Sequence, residues 1–275
     1  MDIICKIPDE WKHKIEFKNR SSLVMRQSPS IPSKTNRRRL ALAWGAALLA
    51  ASPALAIVGG QTVPAGPSPM LMILSDRGSV CSGVVIAHDT ILTAAHCVTG
   101  GSAYRLHWRG ADGRPVMEAP KRITIHPDYH SDAIAARSRS IDLAIVQAGQ
   151  VLPDSFTSAP LPPSGQPPSP KDARLTIQGF GLSSESQADS IGTLRQITLP
   201  VVTPYGQGKL LLWLAGQANQ GACTGDSGGG IFDRDGVLQA ITVWSEGKGQ
   251  ARCGAMTQGI MLAPHRAWID KTLKR

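Results

Sequence analysis

Gly221-Ala222-Cys223-Thr224-Gly225-Asp226-Ser227-Gly228-Gly229-Gly230 sets one serine in a run of glycines, with an aspartate immediately before it and a cysteine four residues before it. Glycine on both sides lets the backbone take conformations that a Cβ forbids. Such a turn aims two backbone N–H groups at one point beside a serine oxygen, as an oxyanion hole requires. Glycine-rich turns holding a serine are also ordinary connectors. The choice between the two readings rests on whether a base and an acid stand upstream.

The 275 residues suffice for one large domain or two small ones. Aromatic residues make up 5%, whereas Gly (28) and Pro (20) are plentiful. That mix favours a turn-rich β protein over a helical bundle. The formal charge of +9 is unevenly spread: residues 1–56 carry 10 Lys+Arg against 4 Asp+Glu, and the remainder 19 against 16. The body has no basic stripe interleaved with aromatics, so no nucleic-acid partner is expected.

Residues 1–56 read as a leader with an export signal. Arg37-Arg38-Arg39 precedes an apolar core over about residues 40–51, and Ala54-Leu55-Ala56 supplies a small-x-small cleavage site. The apolar run is short for a membrane span, so no stable membrane insertion is expected after signal removal. Asn36-Arg37-Arg38-Arg39-Leu40-Ala41 loosely resembles a twin-arginine signal, and Met25 is an alternative start. A secreted or periplasmic location follows as an expectation. Export also makes disulfides plausible for Cys81, Cys97, Cys223 and Cys253. Four cysteines allow three connectivities, and spacing does not choose among them. The simplest are the two sequence-local pairings. A zinc site is disfavoured, because no Cys-x-x-Cys pair exists and His96 lacks partners at metal spacing. No metal or other cofactor is expected.

Short apolar runs recur every 8–12 residues from Met70 to Ala263, the rhythm of an all-β barrel or sandwich. Expected strands include Met70–Leu74, Val80–Ile86, Thr90–Thr93, Val116–Ile125, Ser140–Val146 and Thr193–Val202. Ala94–Val98 reads as a short helical turn. Residues 159–172, rich in proline, read as a linker between halves. Residues 265–273 have helical spacing. Asp142 sits in an apolar run, where a carboxylate is costly unless paired; from this stretch alone, a loop-edge aspartate capping a turn is an equal reading. His96, Asp142 and Ser227 then stand in one of the chain orders in which nucleophilic triads occur. A serine hydroxyl needs a base in reach, and the base needs a partner to fix its tautomer.

These residues bring a resemblance with them. Ile57-Val58-Gly59-Gly60, Leu92-Thr93-Ala94-Ala95-His96-Cys97, His126-Pro127-Asp128-Tyr129, Asp142-Leu143-Ala144, Gly179-Phe180-Gly181, Gly225-Asp226-Ser227-Gly228-Gly229 and the terminal Trp268-Ile269 stand in order across residues 57–275. Together they make the chain similar to the trypsin/chymotrypsin family of serine endopeptidases. The resemblance implies an all-β fold of two six-stranded antiparallel β-barrels with a short C-terminal helix. The N-terminal barrel falls at 57–160, and the C-terminal barrel with the helix at 161–275. It also supports the disulfides Cys81–Cys97 and Cys223–Cys253.

Carried over, the resemblance implies Ser227 as nucleophile, His96 as general base and then acid, and Asp142 as the group orienting His96. The N–H groups of Gly225 and Ser227 would form the oxyanion hole. The amine of Ile57, freed by cleavage after Ala56, would pair with Asp226. Gly221, Ser245 and Gly259 would shape the specificity pocket. Gly221 stands where trypsin-type enzymes carry an aspartate, so an uncharged side chain before the scissile bond (P1) is expected, with Glu246 as the residue opposing that. Val243, Ser245 and Gly230 depart from the family pattern. The implied partners are a protein or peptide substrate and a protein inhibitor. The competing function is a catalytically inactive binding protein of the same fold.

Overall fold

Strand β2 (Met70–Ser75) is buried along its whole length, and so is nearly all of β3 (Val80–Ala87). Such continuously apolar runs pair most stably inside a closed sheet. Here β2 joins β3 on one side and β5 (Tyr104–Arg109) on the other, while β3 continues to β4 (Thr90–Thr93) and β4 to β8 (Ala144–Gln147). Every pairing is antiparallel. The computed structural model describes residues 57–274 apart from 102, 137, 205, 207, 217 and 218. The leader and signal peptide expected over residues 1–56 lie outside the described residues.

The stretch Val116–Ile125, expected as one strand, is broken into β6 (Pro115–Glu118) and β7 (Arg122–Ile125). Pro120 lies in the break and has no N–H to give a ladder. β6 pairs with β5 and β7 with β8, so the broken strand closes the first barrel. The sheet counts seven strands because one of six is interrupted.

In the second sheet β9 (Arg174–Gly179), β10 (Arg195–Val202), β11 (Leu211–Ala215), β14 (Met256–Met261), β13 (Leu238–Glu246) and β12 (Gly230–Phe232) form a ring, because β9 also pairs with β10. β9 and β11 alternate buried and half-exposed residues, as half-buried strands do. The seventh strand is β1 (Gln61–Thr62), which leaves the N-terminal segment to pair with β10. The core of this barrel packs Leu175, Ile177, Leu199, Leu214 and Ile231 around the fully buried Ile57.

The proline-rich stretch is docked against both barrels. Ala159 N–H donates to Val85 O (2.8 Å), and Pro160 O accepts from Leu238 N–H (2.9 Å). A single turn, α1 (Ala133–Ala136), interrupts the loop before β8, and the chain ends in α2 (Arg266–Leu273). α2 is seated by Trp268 and His265, whose rings lie 4.7 and 5.0 Å from that of His126. Cys81–Cys97 and Cys223–Cys253 are both bonded, closing loops of 16 and 30 residues. In the chain-entropy account such loops stabilise by roughly 3 and 3.5 kcal/mol. Among the described residues, no helix is long and apolar enough to cross a membrane.

Candidate active site

His96 lies in a single 3-10 turn, Ala95–Val98, directly after β4. Cys97 ties that turn to β3, so the imidazole stands on a short and braced support. Its Nδ1 is 2.6 Å from Asp142 Oδ2, and its own backbone N–H donates to Asp142 Oδ1 at 2.9 Å. One carboxylate therefore grips both ring and backbone of one residue. A proton on Nδ1 suits this contact and leaves Nε2 as the free base. Burial pushes the His96 pKa down, but the Asp142 charge and hydrogen bond together outweigh it and leave the pKa above 6.5. With 38% of its side chain open to solvent, the imidazolium is penalised less by burial.

Asp142 was expected inside a strand running from Ser140 to Val146. β8 instead begins at Ala144, and Asp142 stands two residues before it. Ile141 and Leu143 on either side are fully buried. Alternation then turns the carboxylate the opposite way, towards His96. Irregular backbone makes this possible: Leu143 N–H donates to Ile141 O (2.8 Å) across Asp142, and Ile141 N–H to Asp128 O (2.9 Å).

Ser227 is half-buried in the glycine turn, and its carbonyl accepts from Ser82 N–H at 2.8 Å. Its hydroxyl makes no hydrogen bond to His96 here. Bonds of that kind are often long in unliganded sites and tighten around substrate. Just before it, Gly225 has φ +98°, a conformation that suits glycine. Thr224 O accepts from Leu182 N–H (2.9 Å), and Asp226 N–H donates to Cys223 O (3.0 Å). Among the described residues, the N–H groups of Gly225 and Ser227 have no protein acceptor. Two unspent donors thus lie beside the serine.

The carboxylate of Asp226 is fully buried between Gly181 N–H (2.8 Å, to Oδ1) and Cys223 N–H (2.9 Å, to Oδ2). A Cβ on Gly179 or Gly181 would come within 2.3 or 2.5 Å of that carboxyl group, which explains both glycines of Gly179-Phe180-Gly181. Burial pushes the Asp226 pKa up to about 7, against the pull of those two N–H groups and of Arg195. The ion pair expected between Ile57 and Asp226 belongs to the cut chain, because in the uncut one Ile57 has a peptide nitrogen and no amine. Ile57 is nonetheless wholly buried, with φ +45°. A positive φ is strained for a β-branched residue.

The residues expected to shape the specificity pocket separate. Gly221 lies beside Val58, whose carbonyl accepts from Gly221 N–H at 3.0 Å. Ser245 is half-exposed and pairs with Thr257 across the sheet. Gly259 does not belong with them: a Cβ there would point at Ile231 (2.7 Å) and Ala240 (3.1 Å) in the core of the second barrel. The strand residue beside Gly221 is instead Thr257. Its Oγ1 would stand 2.9 Å from a Cβ on Gly221, and it accepts from Ala222 N–H at 2.9 Å. The β13–β14 register shifts between Thr242 and Trp244, a bulge that changes which strand residue faces Gly221. Only a count of residues back from Trp268 would have shown it. Beyond Ser245, Trp244 is 38% exposed and packs edge-on against Trp213 at 6.4 Å.

Among the described residues, other features do not add a site. Cys81, His96 and Cys97 cluster closely, but both sulfurs are spent in a disulfide and offer no thiolate to a metal. A concavity under the proline-rich stretch (Gln166, Leu212, Met261, Pro264) and another beside Asp89, Arg122 and Gln147 include none of His96, Asp142 and Ser227.

Two barrels, a His–Asp pair and a serine turn with free N–H groups define the class of trypsin-fold serine endopeptidases. The sequence model of the Trypsin family matches residues 57–269, and the chain belongs to that family. It is 31% identical over 218 residues to Trypsin Blo t 3 of Blomia tropicalis, covering 71% of this chain and 79% of that protein. It is 29% identical over 246 residues to Serine protease 56 of Homo sapiens, covering 79% of this chain but 38% of that longer protein. Solved structures agree on the fold. Human heparin binding protein superposes with a TM-score of 0.64 at 20% identity, over 80% of this chain and 97% of that one. Mouse neuropsin, a serine protease, does so with 0.64 at 21%, over 79% and 100%.

Proposed function

We propose that this serine endopeptidase is exported and cleaves peptide bonds through Ser227, with His96 as base and Asp142 as its orienting partner. The observation that carries the reading is the two-point grip of Asp142 on His96, tied to the serine turn through the Cys97–Cys81 disulfide and the bond from Ser82 N–H to Ser227 O. Ser227 Oγ attacks the scissile carbonyl as His96 Nε2 takes its proton. The oxyanion of the tetrahedral intermediate accepts from Gly225 and Ser227 N–H, each donor of this kind being worth roughly 10²–10³ in kcat. His96 then protonates the leaving amine, and the acyl-enzyme remains on Ser227. Water, deprotonated by His96, attacks that ester, and the collapse returns the proton to Ser227.

Cleavage after Ala56 completes the site in this reading. It frees an ammonium on Ile57 that pairs with the buried Asp226, and it abolishes the strained φ of Ile57, since a first residue has no such torsion. Export processing itself would make that cut, leaving the enzyme in a periplasm or outside the cell. The pocket floor of Gly221 and Thr257 carries no charge, and the Thr257 hydroxyl oxygen already accepts from Ala222 N–H. A small neutral residue is therefore favoured before the scissile bond. A protein inhibitor would bind as a substrate does, across the same serine.

Two measurements on the secreted protein test this. N-terminal sequencing is expected to begin at Ile57; a start several residues away contradicts activation by export. A peptide panel is expected to show faster cleavage after Ala or Val than after Arg or Phe, and a preference for Arg contradicts the pocket reading.

A further inference from the structure

Ser82, on β3 of the first barrel, is fully buried and touches both residues whose N–H groups face the oxyanion. Its Oγ donates to Gly225 O at 2.9 Å, and its N–H donates to Ser227 O at 2.8 Å. The direction of the hydroxyl proton is fixed by its other contact. Phe180 N–H donates to the same oxygen at 3.0 Å, so the single Oγ–H is left for Gly225 O. Ser82 is itself held from below, where Thr93 Oγ1 donates to Ser82 O at 2.8 Å.

Two peptide planes flank Gly225. The plane before it is held at its carbonyl, Thr224 O, by Leu182 N–H; this plane carries the Gly225 N–H of the proposed oxyanion hole. The plane after it is held at both ends, Asp226 N–H by Cys223 O and Gly225 O by Ser82 Oγ. Glycine has low barriers at φ and ψ, so Gly225 stays at φ +98° only while these planes are pinned. Without the Ser82 hydroxyl the second plane keeps one tether. The buried Phe180 N–H and Gly225 O would also lose their partner, and turning the peptide is the simplest way to find another.

We propose that Ser82 is a positioning residue: its hydroxyl clamps the Gly225 carbonyl and so keeps Gly225 N–H aimed at the tetrahedral oxyanion. The proposal rests on the reading of Gly225 and Ser227 as the oxyanion hole. It makes the geometry of the hole depend on the first barrel, although both hole residues belong to the turn before β12.

The test uses the processed enzyme beginning at Ile57, with rates expressed per site titrated by a fluorophosphonate. Ser82→Ala is expected to lower kcat roughly 10–100-fold and to leave KM within about twofold. Binding of a peptide trifluoromethyl ketone, which forms a tetrahedral oxyanion on the serine, should weaken by the same factor. Binding of the matching peptide alcohol, which has no oxyanion, should be unchanged. Ser82→Thr restores a hydroxyl and should recover most of the kcat; it carries the test if the alanine variant folds poorly. Unchanged ketone affinity in Ser82→Ala, or a threonine variant as slow as the alanine one, overturns the proposal. A wild-type enzyme that neither cleaves nor labels would instead overturn the reading of the site, and the role of Ser82 with it.

Discussion

At the scale of single residues the account turns on what one carboxylate does to one imidazole. Asp142 holds His96 by ring and backbone and leaves its pKa above 6.5, burial notwithstanding. A protonated His96 cannot act as base, so kcat/KM should rise with pH through an apparent pKa above 6.5 and fall away below it. Asp142→Asn removes the negative charge and disturbs the tautomer; kcat at neutral pH should drop by about 10⁴. A profile that keeps its midpoint and rate in Asp142→Asn would show that the pair is not catalytic. Thr257 is tested in the same way. Thr257→Gly deletes the side chain beside Gly221, so cleavage after Leu or Phe should rise at least tenfold relative to cleavage after Ala in a peptide panel. An unchanged ratio would place the limit of the pocket elsewhere.

At the scale of elements, the serine turn depends on the segment 179–182. Three successive N–H groups, of Phe180, Gly181 and Leu182, donate to Ser82 Oγ, Asp226 Oδ1 and Thr224 O. Asp226 gives this arrangement a pH dependence in the uncut chain. Its folded pKa of about 7 lies above the unfolded value of 3.8, so its contribution is full below 3.8 and is lost as pH rises through 7. A chain with residues left before Ile57 should therefore be less stable at pH 8 than at pH 5, by an amount on the order of 3 kcal/mol. The chain processed to Ile57 should lack that loss, because an ammonium then faces the carboxylate. Equal pH dependence in both forms, read from melting curves, would sever Ile57 from Asp226. The segments of this site were legible in the sequence because each is marked by residues with few alternatives. The glycines beside Asp226 have no room for a Cβ, and Cys97 must meet Cys81. Thr257 and Ser82 were not legible. The first depends on a bulge that changes strand register, and the second on contacts between residues up to 145 positions apart, Ser82 with Ser227.

At the scale of the whole molecule, the strand rhythm called for a barrel or sandwich and the family resemblance for two barrels, but neither says how the chain closes them. The break at Pro120 and the transfer of β1 to the second sheet are long-range pairings that local patterns do not record. The strand expected over Ser140–Val146 starts only at Ala144 for a similar reason, since an apolar run does not say where a ladder begins. The terminal helix carries a weakness to acid. His265 is buried and its pKa is lowered to about 4, by burial first and then by His126 and Arg139, against Asp128. Its Nε2 has no partner. The unfolded chain binds the proton near pH 6.5 and the folded one does not, so stability present above 6.5 is lost as pH falls towards 4. That loss is on the order of 2–3 kcal/mol, and His265→Phe should remove it. If melting between pH 7 and 4.5 shifts equally in both proteins, the acid sensitivity arises elsewhere. In the proposed reading, every scale of the structure serves one group, the hydroxyl of Ser227. The most direct measurement is therefore to treat the protein processed to Ile57 with a fluorophosphonate and map the adduct by mass spectrometry. One adduct per chain on Ser227, formed in step with loss of peptidase activity and absent from Ser227→Ala, is the result expected. An adduct elsewhere, or peptidase activity that survives Ser227→Ala, would contradict it.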